Sequence, residues 1–109
     1  MPRHRYFHAA TEASSAADLL AASGDVLRRL RVRRSDELFT FGFSQGGHAA
    51  LALQRALERR RVDVTATATA GGVLDVERFF LSSIADESTV TLPPYVAYIL
   101  LAYDDVYDI

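Results

Sequence analysis

Residues 38–48 read Leu38-Phe39-Thr40-Phe41-Gly42-Phe43-Ser44-Gln45-Gly46-Gly47-His48. Leu38 to Phe41 is a short, mostly apolar run opened by the turn-like pair Ser35-Asp36, and it predicts a strand over about 37–42. A run this apolar is what a parallel strand covered on both faces carries. From Gln45 to Arg60 the period turns helical, with Ala49, Ala50, Leu53 and Leu57 on one side and Arg55, Glu58 and Arg59 on the other. Val62 to Ala70 then alternates strictly, Val62, Val64, Ala66 and Ala68 against Asp63, Thr65, Thr67 and Thr69, which is the period of a strand. Its small residues imply that a helix approaches one face closely. Strand, helix and strand in this order give a right-handed βαβ unit with parallel strands, so the fold class is α/β.

Upstream, Ala16, Leu19, Leu20, Ser23, Leu27 and Leu30 recur at helical spacing and predict an amphipathic helix over about 11–30. Gly24 weakens that helix by about 1 kcal/mol relative to alanine and is a place where it could divide. Arg28, Arg29, Arg31, Arg33 and Arg34 crowd its end, where cations complement the macrodipole, and Arg59-Arg60-Arg61 do the same one helix later. Both groups read as solvated helix ends. Downstream of Gly71-Gly72, Asp75 is placed to cap a short helix over about 75–84, and Asp86 to Thr91 is polar and loop-like. Pro93-Pro94 opens a last helix to about residue 107, apolar nearly all round through Val96, Tyr98, Ile99, Leu100, Leu101 and Tyr103. Such a helix needs cover on more than one side.

Composition narrows the function classes. The 109 residues carry a formal charge of −2, which supplies no broad basic field for nucleic acid. Half of the residues are hydrophobic, which argues for a packed body rather than disorder. There is no cysteine, so disulfides and thiolate metal sites are excluded. The densest apolar run, Tyr95 to Tyr103, is too short to cross a bilayer. MPRHRYFHAA has no apolar segment behind its charges, so no signal peptide is expected and the compartment stays open. No metal or cofactor is expected.

The junction Gly42-Phe43-Ser44-Gln45-Gly46 is G-x-S-x-G, placed between a strand and a helix where that motif has a mechanism. A serine at so sharp a turn is forced into a strained backbone and projects above the sheet edge as a nucleophile. The turn leaves no room for side chains at Gly42 and Gly46, and Gly47 follows in the same tight stretch. The Gln45 backbone N–H, at the head of the helix, points into the same space and can donate to an oxyanion, at roughly 3 kcal/mol of transition-state stabilisation. Phosphate readings fit less well. The chain has no lysine, as the P-loop requires. Gly42, Gly47 and Asp63 approach a dinucleotide fingerprint, but Ser44 takes the middle glycine position and Asp63 sits at the wrong end of its strand.

GFSQGGHAALALQRAL resembles the elbow of α/β-hydrolases, and more narrowly that of secretory-lipase-like esterases. RYFHAATEASSAADLL resembles the helix before the elbow strand, and LPPYVAYILLAYDDVY a Leu-Pro-Tyr-rich segment near the cap over the acyl pocket. The resemblance runs from about Arg5 to Asp108 and implies one partial α/β-hydrolase domain over 1–109. It also implies hydrolysis of carboxylic esters, acylglycerols included, through an acyl-enzyme on Ser44. The family's sheet has about eight strands, whereas two are evident here.

Its triad runs Ser, Asp or Glu, then His, whereas the histidines here are His4, His8 and His48, none beyond the elbow helix. His48, one turn after Ser44, is the nearest candidate base; packing or hydrogen bonding near the neighbouring strand is its plainer role. His4 and His8 could reach the strand ends, though no spacing selects them. Asp104, Asp105 and Asp108 are candidate acids that read more plainly as a solvated terminus, and Asp75 reads as a cap.

The expectation is therefore a central portion of a serine esterase or lipase, with an ester or lipid as the whole enzyme's substrate. It is expected to be inactive alone and to self-associate through sheet edges and the last helix. A small non-catalytic α/β interaction module is the second reading, and a dinucleotide-binding βαβ unit is the third.

Overall fold

The computed structural model describes residues 4–85 and 93–109, so the expected loop over 86–91 lies outside the described residues. The elements in chain order are α1 (Ala9–Arg29), β1 (Phe39–Phe43), α2 (Gln45–Arg59), β2 (Ala66–Ala70), α3 (Val76–Ala85) and α4 (Pro93–Tyr107). The architecture is mixed α/β, with one two-stranded parallel sheet. By its contacts the chain divides into two compact units, Ala9–Gly72 and Met1–His8 with Val73–Ile109.

Within Ala9–Gly72, β1 and β2 pair in parallel with Phe39 opposite Ala66, Phe41 opposite Ala68 and Phe43 opposite Ala70. Pairing begins later than the alternation suggests. Val62 donates its N–H to Leu57 O as part of the α2 terminus, and the first bond between the strand segments is Thr65 N–H to Leu38 O, at 2.7 Å. Helix termination thus claims the first residues of the alternating run.

α2 packs against the strands, and α1 packs against α2. One requirement fixes which strand faces look toward α2. A Cβ on Gly42 would lie 1.9 Å from Gly46 O, so Gly42 faces the helix. Period two then puts Thr40 on the same face, where it is buried and its hydroxyl lies 2.6 Å from that of Thr67. Phe39, Phe41 and Phe43 point the other way, 62%, 79% and 70% exposed, beside exposed Ala66, Ala68 and Ala70. The expected cover on both faces is therefore absent among the described residues; α2 covers the threonine face, and the apolar face is open.

In α1 the buried positions are Ala13 and Ala17, with Ala16, Leu20, Ser23 and Leu27 half-buried beside them; Leu19 and Leu30, expected on that face, are exposed. The small alanines let the two helices approach closely. Gly24 lies inside α1 without dividing it.

α1 and α2 end in the same way. Arg31 N–H bonds Arg28 O and Val32 N–H bonds Leu27 O; Arg61 N–H bonds Glu58 O and Val62 N–H bonds Leu57 O. This is the Schellman pattern, with its left-handed residue after the cap. Here that residue is arginine both times, at φ 54 for Arg31 and φ 58 for Arg61. Arg28 also pairs with Asp25 on the helix surface.

The other unit builds its core from Tyr6, Phe7, Ile99 and Ala102, with Val73, Val76, Phe79 and Tyr103 packed around them. Tyr103 donates to Phe7 O at 3.2 Å, Arg5 pairs with Asp105 at 3.2 Å, and the Tyr107 hydroxyl meets His8 Nε2 at 3.2 Å. Asp75 caps α3 by accepting the Arg78 N–H at 2.8 Å. α4 buries Val96, Ile99 and Ala102, while Tyr95, Leu100 and Leu101 on its other sides are exposed. No helix among the described residues is long and apolar enough to cross a membrane.

Candidate active site

Ser44 stands between the last residue of β1 and the first of α2. Its backbone has φ 53 and ψ −123. An L-residue pays roughly 1–3 kcal/mol to stay in so sparse a region, and it does so only where its surroundings hold it. They do so here. The Ser44 N–H donates to Ala70 O at 2.9 Å, extending the β1–β2 ladder, and the Ser44 carbonyl accepts from Gly47 N–H at 2.9 Å and His48 N–H at 3.4 Å. The residue is thus the last rung of the sheet and the N-cap of the helix at once. It is exposed, and its side chain makes no capping hydrogen bond.

The glycines around it divide the steric work differently from the expectation. Gly42 is obligatory, because its Cβ would run into the Gly46 carbonyl. Gly46 is not crowded, since nothing lies within 4 Å of a Cβ built there. The second tight position is Gly47, whose Cβ would meet Gly72 Cα at 3.1 Å and Gly42 O at 3.4 Å. What the turn needs at Gly46 is its carbonyl, which passes close over Gly42. Gly71, at φ 60, turns the chain as it leaves β2.

Gln45 is the first residue of α2, so its N–H is among the amides that helix geometry leaves outside the i→i−4 ladder. Its side chain is tied down, with Nε2 donating to Glu12 Oε1 at 2.7 Å. The other oxygen of the same carboxylate lies 2.7 Å from His48 Nδ1. Glu12 and His48 are both nearly closed to solvent, their side chains 6% and 10% exposed. His48 thus meets α1 through its Nδ1, which pairs with Glu12. The sequence reading passed over Glu12. A lone acid in the first turn of a helix normally reads as a solvated group facing the macrodipole, and only the packing of α1 on α2 brings it to the serine turn.

The remaining candidates belong to other segments of the chain. Asp63 sits in the connection before β2, and Asp75 is engaged as a cap. Asp104 and Asp105 are on α4, Asp105 paired with Arg5, and Asp108 follows that helix. His4 lies against Tyr6 and Tyr98, and His8 against Tyr103 and Tyr107. Each of these histidine contacts falls within the unit formed by the two chain ends.

Compared with family models, curated proteins and solved structures, the chain matches none.

Proposed function

We propose that this chain carries the nucleophile of a serine ester hydrolase, as part of an α/β-hydrolase sheet that continues beyond β1 and β2. The observation that carries this reading is the backbone of Ser44, φ 53 and ψ −123, at a parallel strand-to-helix turn with Gly42 pressed beneath the Gly46 carbonyl. Strain held in place at a turn of this kind is a pointer to function. In the proposed reaction, Ser44 Oγ attacks the ester carbonyl carbon while a base removes the hydroxyl proton. The Gln45 N–H donates to the oxygen as it becomes an oxyanion. Collapse of the tetrahedral intermediate expels the alcohol and leaves an acyl group on Ser44, which water then removes.

On this reading the base comes from polypeptide other than these 109 residues. The open Phe39, Phe41 and Phe43 face fits the same view, as a sheet face that further structure of the whole enzyme covers.

A serine with oxyanion donors but no base keeps part of its reactivity. Prolonged exposure of the chain to a fluorophosphonate, with the modified sites located by mass spectrometry, should therefore modify Ser44 at least tenfold faster than the surface residues Ser14 and Ser35. Equal modification of all three serines, or total labelling unchanged in Ser44→Ala, refutes the assignment. Hydrolysis of a p-nitrophenyl ester should stay at background, and robust turnover that disappears in His48→Ala would show that the base is in the chain after all.

A further inference from the structure

The head of α2 lacks the support that a serine N-cap usually gives. A capping hydroxyl accepts from the second or third amide of its helix, and the Ser44 side chain makes no such bond. α1 supplies a hold of another kind, on side chains rather than on amides. The Glu12 carboxylate engages two residues of the first turn of α2, Oε1 with the Gln45 side chain and Oε2 with the His48 ring, each at 2.7 Å. A carboxylate this buried is costly unless its oxygens are answered by hydrogen bonds. Both are answered, and by residues three apart on one turn, so the turn is gripped at two points. The negative charge also lies at the positive end of the α2 macrodipole.

We infer that Glu12 is the positioning residue of the serine turn. It holds the first turn of α2, with the Gln45 amide, against the strained residue before it, and does so through two side chains rather than through the backbone amides that an N-cap serves. The grip stands on its own geometry; its consequence for reactivity rests on the reading of Ser44 as a nucleophile. Structure and chemistry therefore need separate readouts.

The structural readout is amide hydrogen exchange of Gly47 and His48, whose N–H groups bond the Ser44 carbonyl, against Val62 at the far end of the same helix as the internal reference. In Glu12→Ala, exchange at Gly47 and His48 should rise at least tenfold relative to Val62. Glu12→Gln, which keeps an acceptor for the Gln45 side chain, should restore part of the protection. A Glu12→Leu/His48→Leu double variant separates positioning from bulk stability, because an apolar pair can replace a buried polar one without loss of fold. It should melt close to the parent and still show the faster exchange.

The chemical readout is the preference of the fluorophosphonate for Ser44 over Ser14 and Ser35, which should fall at least tenfold in Glu12→Ala. Exchange that does not change in Glu12→Ala overturns the inference, and so does an unaltered Ser44 preference in a variant whose first turn exchanges faster. If the parent chain shows no Ser44 preference at all, the nucleophile reading falls, while the exchange measurement still decides whether Glu12 grips the turn.

Discussion

The same substitution at two glycines four residues apart should move stability in opposite directions. In Gly42→Ala the new methyl lies 1.9 Å from Gly46 O and 2.2 Å from Gly46 C, both backbone atoms. To reach even 3.0 Å, the closest approach that real Cβ atoms show, the strand and the helix head must part by roughly 1.1 Å. Neither can swing aside alone, because Ser44 between them is bonded to Ala70 on one side and to Gly47 on the other. Overpacking against backbone costs about 1–3 kcal/mol, and loosening the first turn forfeits one or two hydrogen bonds at about 1 kcal/mol each. The total is about 4 kcal/mol. Domains of this size are stable by about 5–15 kcal/mol, so the loss is roughly a quarter to four-fifths of the total and should lower the urea midpoint in proportion.

Gly46→Ala adds its methyl to open space inside a helix, where alanine is favoured over glycine by about 0.5–1 kcal/mol. It should raise stability by that amount. Urea unfolding followed by far-ultraviolet circular dichroism, with slopes compared among the three proteins, measures both changes. A Gly42→Ala protein within 1 kcal/mol of the parent, or a Gly46→Ala protein destabilised by more than 1 kcal/mol, refutes the steric account.

The strain at Ser44 should show itself directly. Ser44→Gly relieves about 1–3 kcal/mol of backbone cost, less about 1 kcal/mol of added unfolded-chain freedom, so it should melt higher than Ser44→Ala, while neither is phosphonylated at this position. Arg61→Gly gives the α2 terminus the residue that its φ of 58 favours and should stabilise the chain by about 0.5–1 kcal/mol in urea; a loss of stability would mean that the Arg61 side chain contributes more than its backbone costs. Asp75→Ala removes the cap on Arg78 N–H and should cost about 1 kcal/mol. Its loss should appear as faster amide exchange in α3 alone, and an unchanged α3 would contradict the capping role.

Local rules recover much of this molecule from its residues. The change of period between Phe41 and Gln45 marks the strand-to-helix junction, and the alternation after Val62 marks the second strand. The strained turn at Ser44 follows from where G-x-S-x-G stands. Face assignment was legible too, from Gly42 alone. If that glycine must face the helix, parity puts Thr40 beside it and the phenylalanines opposite. An apolar run read as buried on both faces hides this, because hydrophobicity records what a face can bury and not what covers it.

The partnership of Glu12 with Gln45 and His48 was not legible. It joins residues 33 and 36 positions apart through the crossing of two helices, which depends on how Ala13 and Ala17 let α1 settle on α2. No periodicity encodes that. The ends of α1 and α2 fall within a residue of where the sequence places them, at Arg29 and Arg59, but their Schellman form was not legible, since glycine is the usual residue after the cap and arginine takes its place at both.

The unit made from the two chain ends also bears on the order of folding. Its polar ties join residues 96, 99 and 100 positions apart, whereas the unit that holds Ser44 is one uninterrupted stretch, Ala9–Gly72. On a ribosome, α1, β1, α2 and β2 emerge together and can pair as they appear. Tyr6 and Phe7, made before α1, must wait for Ile99 and Ala102. Long-range closure of this kind is slow to form and exposes apolar surface in the meantime. The serine turn can thus close from one contiguous stretch, whereas the Tyr6 and Phe7 side chains lack their core partners until α4 is synthesised.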